Sequence, residues 1–345
     1  MKISVLLPYK ENFSPSYAGA VSIFLKDTIK LSKYKKNITV YGSTSYKKKL
    51  LPNYVNINFN KLFFRSSTKT YIKKFLEHEK KNKSELIEIH NRPEYIDEIY
   101  KKNKSLVLYY HNNPLEMKFS KSINERINIL NKTKKVVFNS KWTLNQFKSG
   151  LSKRCYLNKL EVINPSTTKK KIDFKKKEKI IIFVGRLNRS KGYDIFGRSI
   201  INILNKYPQW RAIVIGDEPR EKHIFEHKNL KILGFQKYNA VTKWFVKSDI
   251  SVVCSRWDEP FGRTALEASS AGCAVIITDK GGLSEASPKA MKIKSLTVKN
   301  IENSVEKLIK NESLKKSLQK TIYKHFYLTN NYISKKIDRY RDKLI

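Results

Sequence analysis

Short apolar runs alternate with amphipathic segments along the first half of the chain. The runs are about as long as a strand and are rich in Ile, Val, Leu or Tyr: residues 2–7, 37–41, 85–90, 105–111, 134–139 and 160–164. Between them lie helix-like stretches such as residues 19–31, where apolar side chains recur every three or four positions. This alternation predicts βαβ units and a parallel sheet that is covered by helices on both faces.

The alternation resumes after a lysine-rich segment at residues 169–178. Helix-like stretches then separate five further strand-like runs: residues 179–184, 211–215, 230–233, 250–254 and 273–278. Because the lysine-rich segment repels itself and offers little to bury, we interpret it as a linker, with a solvated loop inside one domain as the alternative. The expected fold is α/β, with two facing, doubly wound, Rossmann-like domains at residues 1–168 and 179–320. Ligands of such sheets bind beyond the carboxyl ends of the strands, here in a cleft between the domains.

The composition gives the chain a strong positive charge. The 345 residues are 40% hydrophobic, which supports folded cores and argues against a disordered chain. Lys and Arg total 71 against 30 Asp and Glu, giving a formal charge of +41, with 58 Lys and only 13 Arg. AT-rich codons explain the abundance of Lys, Asn and Ile, and an anionic membrane surface as partner is the alternative. No nucleic-acid-binding module accompanies the charge, so a specific nucleic-acid partner is not expected.

Cysteine usage and hydropathy indicate a cytoplasmic protein. Cys155, Cys254 and Cys273 show no metal-binding spacing, which argues against a disulfide framework or a zinc site. The first apolar run is too short for a secretion signal, and no uncharged apolar stretch has the length of a membrane span. We therefore expect a cytoplasmic location, with peripheral association with the inner face of the membrane left open.

The most informative motif is the segment at residues 258–268, which follows a strand-like run and opens a helix. Pro260 suits a helix start, and Gly262 allows a ligand to approach the backbone closely. The first amides of the helix, around Gly262, Arg263 and Thr264, are unpaired donors with partial positive charge. Such a helix end is suited to an anion, and a diphosphate would fit it.

Two glutamates flank this helix start. Glu267 lies about a turn and a half inside the helix, within reach of a ribose, whereas Glu259 precedes the helix and can reach a sugar hydroxyl. The alternative is an acidic cap together with a glutamate on the helix surface.

A second motif, residues 184–192, ends the first strand of the second half. Arg186 and Lys191 stand five positions apart in a loop that glycines bound, so both cations can converge on one anion. A guanidinium fork and an ammonium together neutralise a leaving diphosphate. A basic surface turn is the alternative in a chain so rich in lysine.

Taken together, the motifs resemble those of the family 4 retaining glycosyltransferases, which have the GT-B fold. The resemblance covers nearly the whole chain and rests on these segments in this order: Gly185-Arg186-Leu187, Ser190-Lys191-Gly192, the pair Glu259 and Glu267, and Gly281-Gly282-Leu283-Ser284-Glu285. It implies that Arg186 and Lys191 bind the donor diphosphate and that Glu267 holds the nucleotide ribose. It further implies donor-binding roles for a set of loop and helix-start residues: Glu259, Phe261 and Gly262 at the transferred sugar, Arg263 and Thr264 at the helix start, and Gly234 and Phe235 beside the base.

The first half carries the other residues that the resemblance assigns. His90, Asn91 and Arg92 follow one strand-like run and would face the acceptor. His111 follows the next run and would lie near the donor sugar, although a structural role is the usual outcome for a histidine at a strand end. Gly19 stands before a helix where the family often has paired glycines, so the resemblance implies a donor contact there. The final helix, residues 321–345, would return to the first domain.

The resemblance therefore implies a retaining hexosyltransferase that uses a nucleotide-diphosphate sugar. Its acceptor would be a saccharide or a lipid-linked saccharide in lipopolysaccharide or surface polysaccharide biosynthesis, with Glu259, His111, Arg186 and Lys191 as catalytic residues. No Asp-x-Asp occurs in the chain, which removes the usual carboxylate clamp for a divalent ion, so we expect neither a metal nor a cofactor. The alternatives are another GT-B enzyme, such as a nucleotide-sugar epimerase, and a basic nucleic-acid-binding protein.

Overall fold

The computed structural model describes residues 1–58, 67–156 and 158–344. They form two compact units, of which the first comprises Met1–Ser166 and Asn330–Ile345 and the second comprises Thr167–Thr329. Residues 169–178, which we interpreted as a linker, lie inside the second unit, where Lys177 donates hydrogen bonds to the carbonyls of Phe245 and Ser248. The return to the first unit begins at Asn330 rather than at residue 321, because residue 321 belongs to a helix that packs on the second sheet. Residue 345, within the predicted final helix, lies outside the described residues.

Parallel strands build the sheet of the first unit. In its described residues they are β1 (Ile3–Leu6), β2 (Ile38–Gly42), β3 (Tyr54–Asn56), β4 (Leu86–His90), β5 (Leu106–Tyr110), β6 (Lys135–Phe138) and β7 (Leu160–Val162). Their order across the sheet is β3-β2-β1-β4-β5-β6-β7. The helices that follow these strands are α1 (Ala20–Ile29), α2 (Ser67–Asn82), α3 (Ile96–Tyr100), α4 (Ile123–Lys132) and α5 (Lys141–Lys148). The central strands β4 and β5 are buried along their whole length, as expected for a sheet covered on both faces.

The second unit repeats the plan. Its strands are β8 (Glu178–Val184), β9 (Arg211–Ile215), β10 (Leu230–Ile232), β11 (Ser248–Val253), β12 (Ala274–Thr278) and β13 (Met291–Ile293). They are parallel in the order β10-β9-β8-β11-β12-β13, which is the Rossmann order. Its helices are α6 (Tyr193–Lys206), α7 (Tyr238–Lys247), α8 (Arg263–Ser270), α9 (Leu283–Ala286), α10 (Val298–Lys310) and α11 (Glu312–Lys324). The two doubly wound α/β units confirm the fold class predicted from the sequence.

The last helix, α12 (Asn330–Asp342), completes the first unit by packing on α1. Its Arg341 donates two hydrogen bonds of 2.8 Å to the carboxylate of Glu88 in β4, and both side chains are almost fully buried. One turn earlier, Asp338 accepts hydrogen bonds from the Ser32 hydroxyl at 2.6 Å and from the Lys33 amide at 2.8 Å. The helix is therefore fixed to this unit by buried ionic contacts as well as by apolar packing.

Candidate functional site

In the second unit, the loop after β8 is shaped to present Lys191. The Asn188 side chain accepts a hydrogen bond of 3.1 Å from the Lys191 amide and so closes a tight turn. Gly192 follows with φ +73°, and a Cβ atom at this position would overlap with the carbonyl oxygen of Cys254. Only glycine combines this backbone conformation with so close an approach to β11.

The loop after β11 is joined to this turn through one carbonyl group. The Ser190 carbonyl accepts hydrogen bonds from the Arg256 amide at 2.9 Å, the Trp257 amide at 3.1 Å and the Ser255 hydroxyl at 3.0 Å. The two motifs found in the sequence are therefore held together as one unit of backbone structure.

This joint brings Lys191 and Glu259 into contact. The Lys191 ammonium forms an ion pair with the carboxylate of Glu259 and lies 5.1 Å from the centroid of the Trp257 ring. The carboxylate is nearly buried, since Glu259 is 7% exposed. The Lys191 ammonium and the Glu259 carboxylate are therefore in contact and partly shielded from solvent.

The Gly281-Gly282 pair packs against the backbone of the loop that carries Glu259. The Gly282 amide donates a hydrogen bond of 2.6 Å to the Glu259 carbonyl, and a Cβ atom at Gly281 would overlap with that carbonyl oxygen. The glycines that the sequence motif contains are therefore needed because two backbones touch at this point.

The start of α8 completes this part of the site. Gly262 adopts φ +103°, and a Cβ atom there would overlap with Leu283. A cavity of about 490 Å³, open to solvent, lies at this helix end, and its lining includes Lys191, Glu259, Gly262, Arg263 and Thr264. Five of the residues predicted to bind a donor are thereby brought together around one cavity.

The other predicted residues of this unit stand outside that lining. In the described chain the cavity is not lined by Arg186, Gly234, Phe235, Phe261 or Glu267. Arg186 and Phe235 are exposed, Phe261 is buried, and the space beside Gly234 is open. Glu267 lies one helical turn beyond Arg263, and their side chains form an ion pair of 2.8 Å.

In the first unit, the loops after β4 and β5 hold His111 by its backbone. Asn91 adopts φ +56°, and its side-chain oxygen accepts a hydrogen bond of 3.1 Å from the His111 amide. Asn139, after β6, donates a hydrogen bond of 2.9 Å to the His111 carbonyl. Asn139 was not predicted, although it ends a strand as His90 and His111 do.

The two histidines predicted for this unit are in direct contact. Nδ1 of His90 lies 3.0 Å from Nε2 of His111, so one nitrogen donates and the other accepts. His90 is fully buried and stacks on Tyr109, with ring centroids 4.4 Å apart. Its Nε2 has no hydrogen-bond partner among the described residues. With Nε2 of His111 engaged, Nδ1 is the nitrogen that remains for a ligand.

Both imidazoles are held neutral. Burial lowers the pKa of His90 to about 3, and the positive charge of Arg341 acts in the same direction. Burial, followed by the neighbouring His90, holds the pKa of His111 well below its ordinary value. At neutral pH the pair can therefore exchange hydrogen bonds with a sugar hydroxyl without adding charge.

Arg92 and Gly19 have local partners. Arg92 donates a hydrogen bond of 2.8 Å to the Asn91 carbonyl. Gly19 caps α1, and a Cβ atom there would overlap with the carboxylate of Glu11. That carboxylate accepts hydrogen bonds from the amide and hydroxyl of Ser22, at 3.1 and 2.8 Å, and so occupies the amide end of α1. Sequence reasoning missed Glu11, because nothing in the local pattern indicates that this loop folds back onto the helix.

Neither a metal-binding cluster nor a membrane-spanning helix occurs among the described residues. Among them, no three or more His, Cys, Asp and Glu side chains are grouped so that they could hold a metal ion. Likewise, no helix within these ranges has both the length and the apolar character needed to cross a bilayer. Cys254 and Cys273 are buried free thiols, and burial raises the pKa of Cys254 to about 12.

Comparison with known families agrees with this geometry. Residues 165–325, which span nearly all of the second unit, match the sequence profile of the family described as "Glycosyl transferases group 1". The second unit is therefore similar in sequence to that family. The match contains both loops that meet at Ser190 and the helix start at Gly262.

Curated relatives of the chain match it over part of their length. It is 33% identical over 128 residues to the lipopolysaccharide core biosynthesis mannosyltransferase LpsB of Rhizobium meliloti (strain 1021), covering 34% of this chain and 36% of that protein. A 118-residue segment is 28% identical to spore coat protein SA of Bacillus subtilis (strain 168), covering 30% of this chain and 31% of the relative. The matched segments thus span about a third of the length of these relatives.

Solved structures match the chain over its whole length. Sucrose-phosphate synthase from Thermosynechococcus elongatus has a TM-score of 0.77 at 15% identity, covering 100% of this chain and 99% of that one. Anabaena HepE, solved in complex with UDP and glucose, has a TM-score of 0.76 at 15% identity, covering 99% and 100%. At this identity the likeness shows the fold, which is the GT-B fold.

Proposed function

We propose that the protein is a retaining glycosyltransferase that moves a hexose from a nucleotide-diphosphate sugar to a saccharide or lipid-linked acceptor. The observation that carries this proposal is that the Lys191 ammonium, the Glu259 carboxylate and the amide end of α8 line one cavity. These groups match the three needs of the donor, namely a cation for the diphosphate, amides for its oxygens and a carboxylate for sugar hydroxyls.

The diphosphate would bind at the amide end of α8 beside Lys191. In the structure Lys191 is paired with Glu259, so a bound diphosphate would compete for this ammonium. Glu259 would then turn its oxygens to the hydroxyls of the transferred sugar, with Phe261 and Gly262 supplying backbone groups. Exposed Arg186 would add a second cation, Glu267 would hold the ribose, and Gly234 and Phe235 would border the base.

Catalysis would depend on charged and polar groups of the protein that are positioned before the reaction begins. As the bond from the sugar to the diphosphate breaks, negative charge grows on the departing oxygen. A fixed ammonium and oriented helix amides stabilise that charge most strongly in the transition state. The neutral His111 would accept or donate a hydrogen bond at the sugar. We propose that the transfer needs neither a metal nor another cofactor, and that the anomeric configuration is retained.

The relatives support a setting in surface glycan assembly. LpsB is named as a mannosyltransferase of lipopolysaccharide core biosynthesis, and HepE was solved with UDP and glucose. We therefore propose a hexose donor and an acceptor of the lipopolysaccharide or surface polysaccharide type. The charge of +41 supports peripheral binding of the enzyme to an anionic membrane face on which a lipid-linked acceptor would be held.

The test is turnover with a panel of UDP-, GDP- and ADP-hexoses, with saccharide acceptors and with EDTA present or absent. We expect one donor to release its nucleoside diphosphate in EDTA and to form a glycoside whose anomeric proton coupling matches that of the donor. If no donor binds or turns over, the proposal fails. Isomerisation of the donor sugar in the absence of any acceptor would indicate an epimerase instead.

A further inference from the structure

The second unit contains another solvent-open cavity, which the proposed reaction does not use. Its volume is about 790 Å³, and its lining is Arg189, Asp194, Arg198, His223, Phe225 and Arg256. Arg189 is two positions from Lys191 and Arg256 is three from Glu259, so both cavities involve the same two loops. The linings nevertheless share no residue.

Apart from His223, the basic side chains of this cavity are all arginine. In the whole chain, 58 lysines outnumber 13 arginines, so a group of three arginines without a lysine departs from the general surface. The distinction is chemical, because a guanidinium presents a planar fork of donors that fits two phosphate oxygens at once. Against these three cations the lining has a single carboxylate, that of Asp194.

That carboxylate is already neutralised by one of the three arginines. Arg256 donates hydrogen bonds of 2.8 and 2.7 Å to the two oxygens of Asp194, and a further one to the Arg189 carbonyl. Burial alone would raise the pKa of Asp194, but Arg256 holds it below its ordinary value, so the carboxylate stays ionised. Arg256 and Asp194 therefore link the two loops, and the charge of Asp194 is already compensated by Arg256 before Arg198 approaches it.

Arg198 and Arg189 retain unused donors. Arg198 donates one hydrogen bond of 3.3 Å from Nε to the Asp194 carbonyl, but its Nη2 lies 3.9 Å from the Asp194 carboxylate. Arg189 Nε lies 3.8 Å from Glu221, and both of these ion-pair distances exceed hydrogen-bond distance. Glu221 is engaged at 2.7 Å by His223. The side chains of Arg189 and Arg198 are 75% and 62% exposed, so an incoming anion can reach both forks.

Aromatic rings add an apolar surface to the cavity. His223 and Phe225 lie nearly parallel, with an angle of 11° and centroids 6.4 Å apart, and both contact the ring of Tyr193 edge-on. These rings can cover the carbon skeleton of a ligand while the arginines hold its charged end.

We propose that this cavity binds a phosphomonoester group at Arg189 and Arg198, carried by a sugar phosphate or by a phospholipid headgroup. The proposal is independent of the proposed function, because the two cavities have separate linings and binding needs no glycosyl transfer.

The first test is calorimetric titration of the full-length protein with inorganic phosphate and with a hexose 6-phosphate. We expect saturable binding that weakens at least tenfold in the Arg189→Ala/Arg198→Ala variant. It should be unchanged in Arg211→Ala, which removes an exposed arginine that pairs with Glu178 elsewhere in the same unit. It should also persist in Lys191→Ala. Binding that disappears with Lys191→Ala but survives the double arginine change would place the phosphate at the first cavity and overturn the proposal.

A second test separates the two sources of the phosphate. Vesicles of phosphatidylcholine with phosphatidic acid, a monoester, are compared in sedimentation with vesicles that contain phosphatidylglycerol, a diester. A preference for phosphatidic acid that the double arginine variant loses, and Arg211→Ala keeps, identifies the headgroup as the source. Arginine-dependent binding of the soluble phosphates without that preference identifies a sugar phosphate. If the double variant changes neither the titrations nor the sedimentation, the cavity is not a phosphate site.

Discussion

Nδ1 of His90 and Nε2 of His111 lie 3.0 Å apart at the ends of neighbouring strands, and both rings are neutral. Burial and Arg341 lower the pKa of His90 to about 3, whereas an unfolded histidine titrates near 6.5. Below about pH 6.5 the unfolded chain therefore takes up protons that the folded chain does not. This contribution to stability is complete above that pH and is lost as the pH falls.

We expect the free energy of unfolding to decrease by about 1.4 kcal/mol per pH unit for each such histidine between pH 6.5 and 5. Urea denaturation at closely spaced pH values measures this slope. His90→Asn should reduce the pH dependence of the free energy of unfolding by about 1.4 kcal/mol per pH unit, which is the contribution of one histidine. An identical slope in wild type and variant would show that His90 is not held neutral by the fold.

The buried pair of Arg341 and Glu88 predicts strong coupling between α12 and β4. Arg341→Met or Glu88→Met alone leaves one buried charge without its partner, so each should cost about 3–5 kcal/mol. The double methionine variant removes both charges and should recover part of that loss. Urea denaturation of the four proteins gives the cycle, and strictly additive costs would contradict a direct interaction.

Two glycines with similar backbone angles are expected to differ in how much an alanine substitution destabilises the protein. Gly192 and Gly234 have φ of +73° and +63°, so alanine is strained at both. A Cβ atom at Gly192 would also overlap with the Cys254 carbonyl, whereas nothing lies within 4 Å at Gly234. Gly192→Ala should therefore lower the denaturation midpoint clearly more than Gly234→Ala. Equal shifts would show that the approach to β11 is not required.

Substitution of Lys191 or Glu267 is expected to reduce turnover without unfolding the protein. Lys191→Ala and Glu267→Ala should each reduce turnover about tenfold to a thousandfold, because in the proposed function each removes a group that would bind the donor. Lys247→Ala is the matched control, since Lys247 is an exposed lysine of the same unit that pairs with Glu178. Denaturation midpoints establish that the variants fold. Wild-type turnover in both variants would refute the donor site.

Much of the fold could be predicted because its strands are short, apolar and separated by helical patterns. The runs at residues 179–184 and 250–254 correspond to β8 at Glu178–Val184 and β11 at Ser248–Val253. The edge strands β3 and β13, of three residues each, were not predicted, whereas the equally short edge strands β7 and β10 were. A periodicity argument has few positions to act on in such strands, so it finds some and misses others.

The candidate site was predictable where it depends on local motifs and on the parallel topology. Lys191, Glu259 and the start of α8 lie on loops that parallel topology brings to one sheet edge. The contact of Glu11 with Ser22 joins a loop to a helix, and that of Arg341 with Glu88 joins α12 to a strand 253 positions earlier in the sequence. No local pattern specifies such pairs, because they form only after the whole unit has packed. The position of Arg186 was also beyond sequence reasoning, since a long exposed side chain can leave its loop in several directions.

The place of α12 bears on how the protein is made. Residues 1–166 of the first unit are translated before the whole second unit, and α12 is translated only after it. Until then, Glu88 in a central strand has no cation beside it, and the surface of α1 that α12 covers is open to solvent. The first unit is thus completed only after the second unit has been synthesised, and its maturation depends on a segment that is translated much later than its sheet.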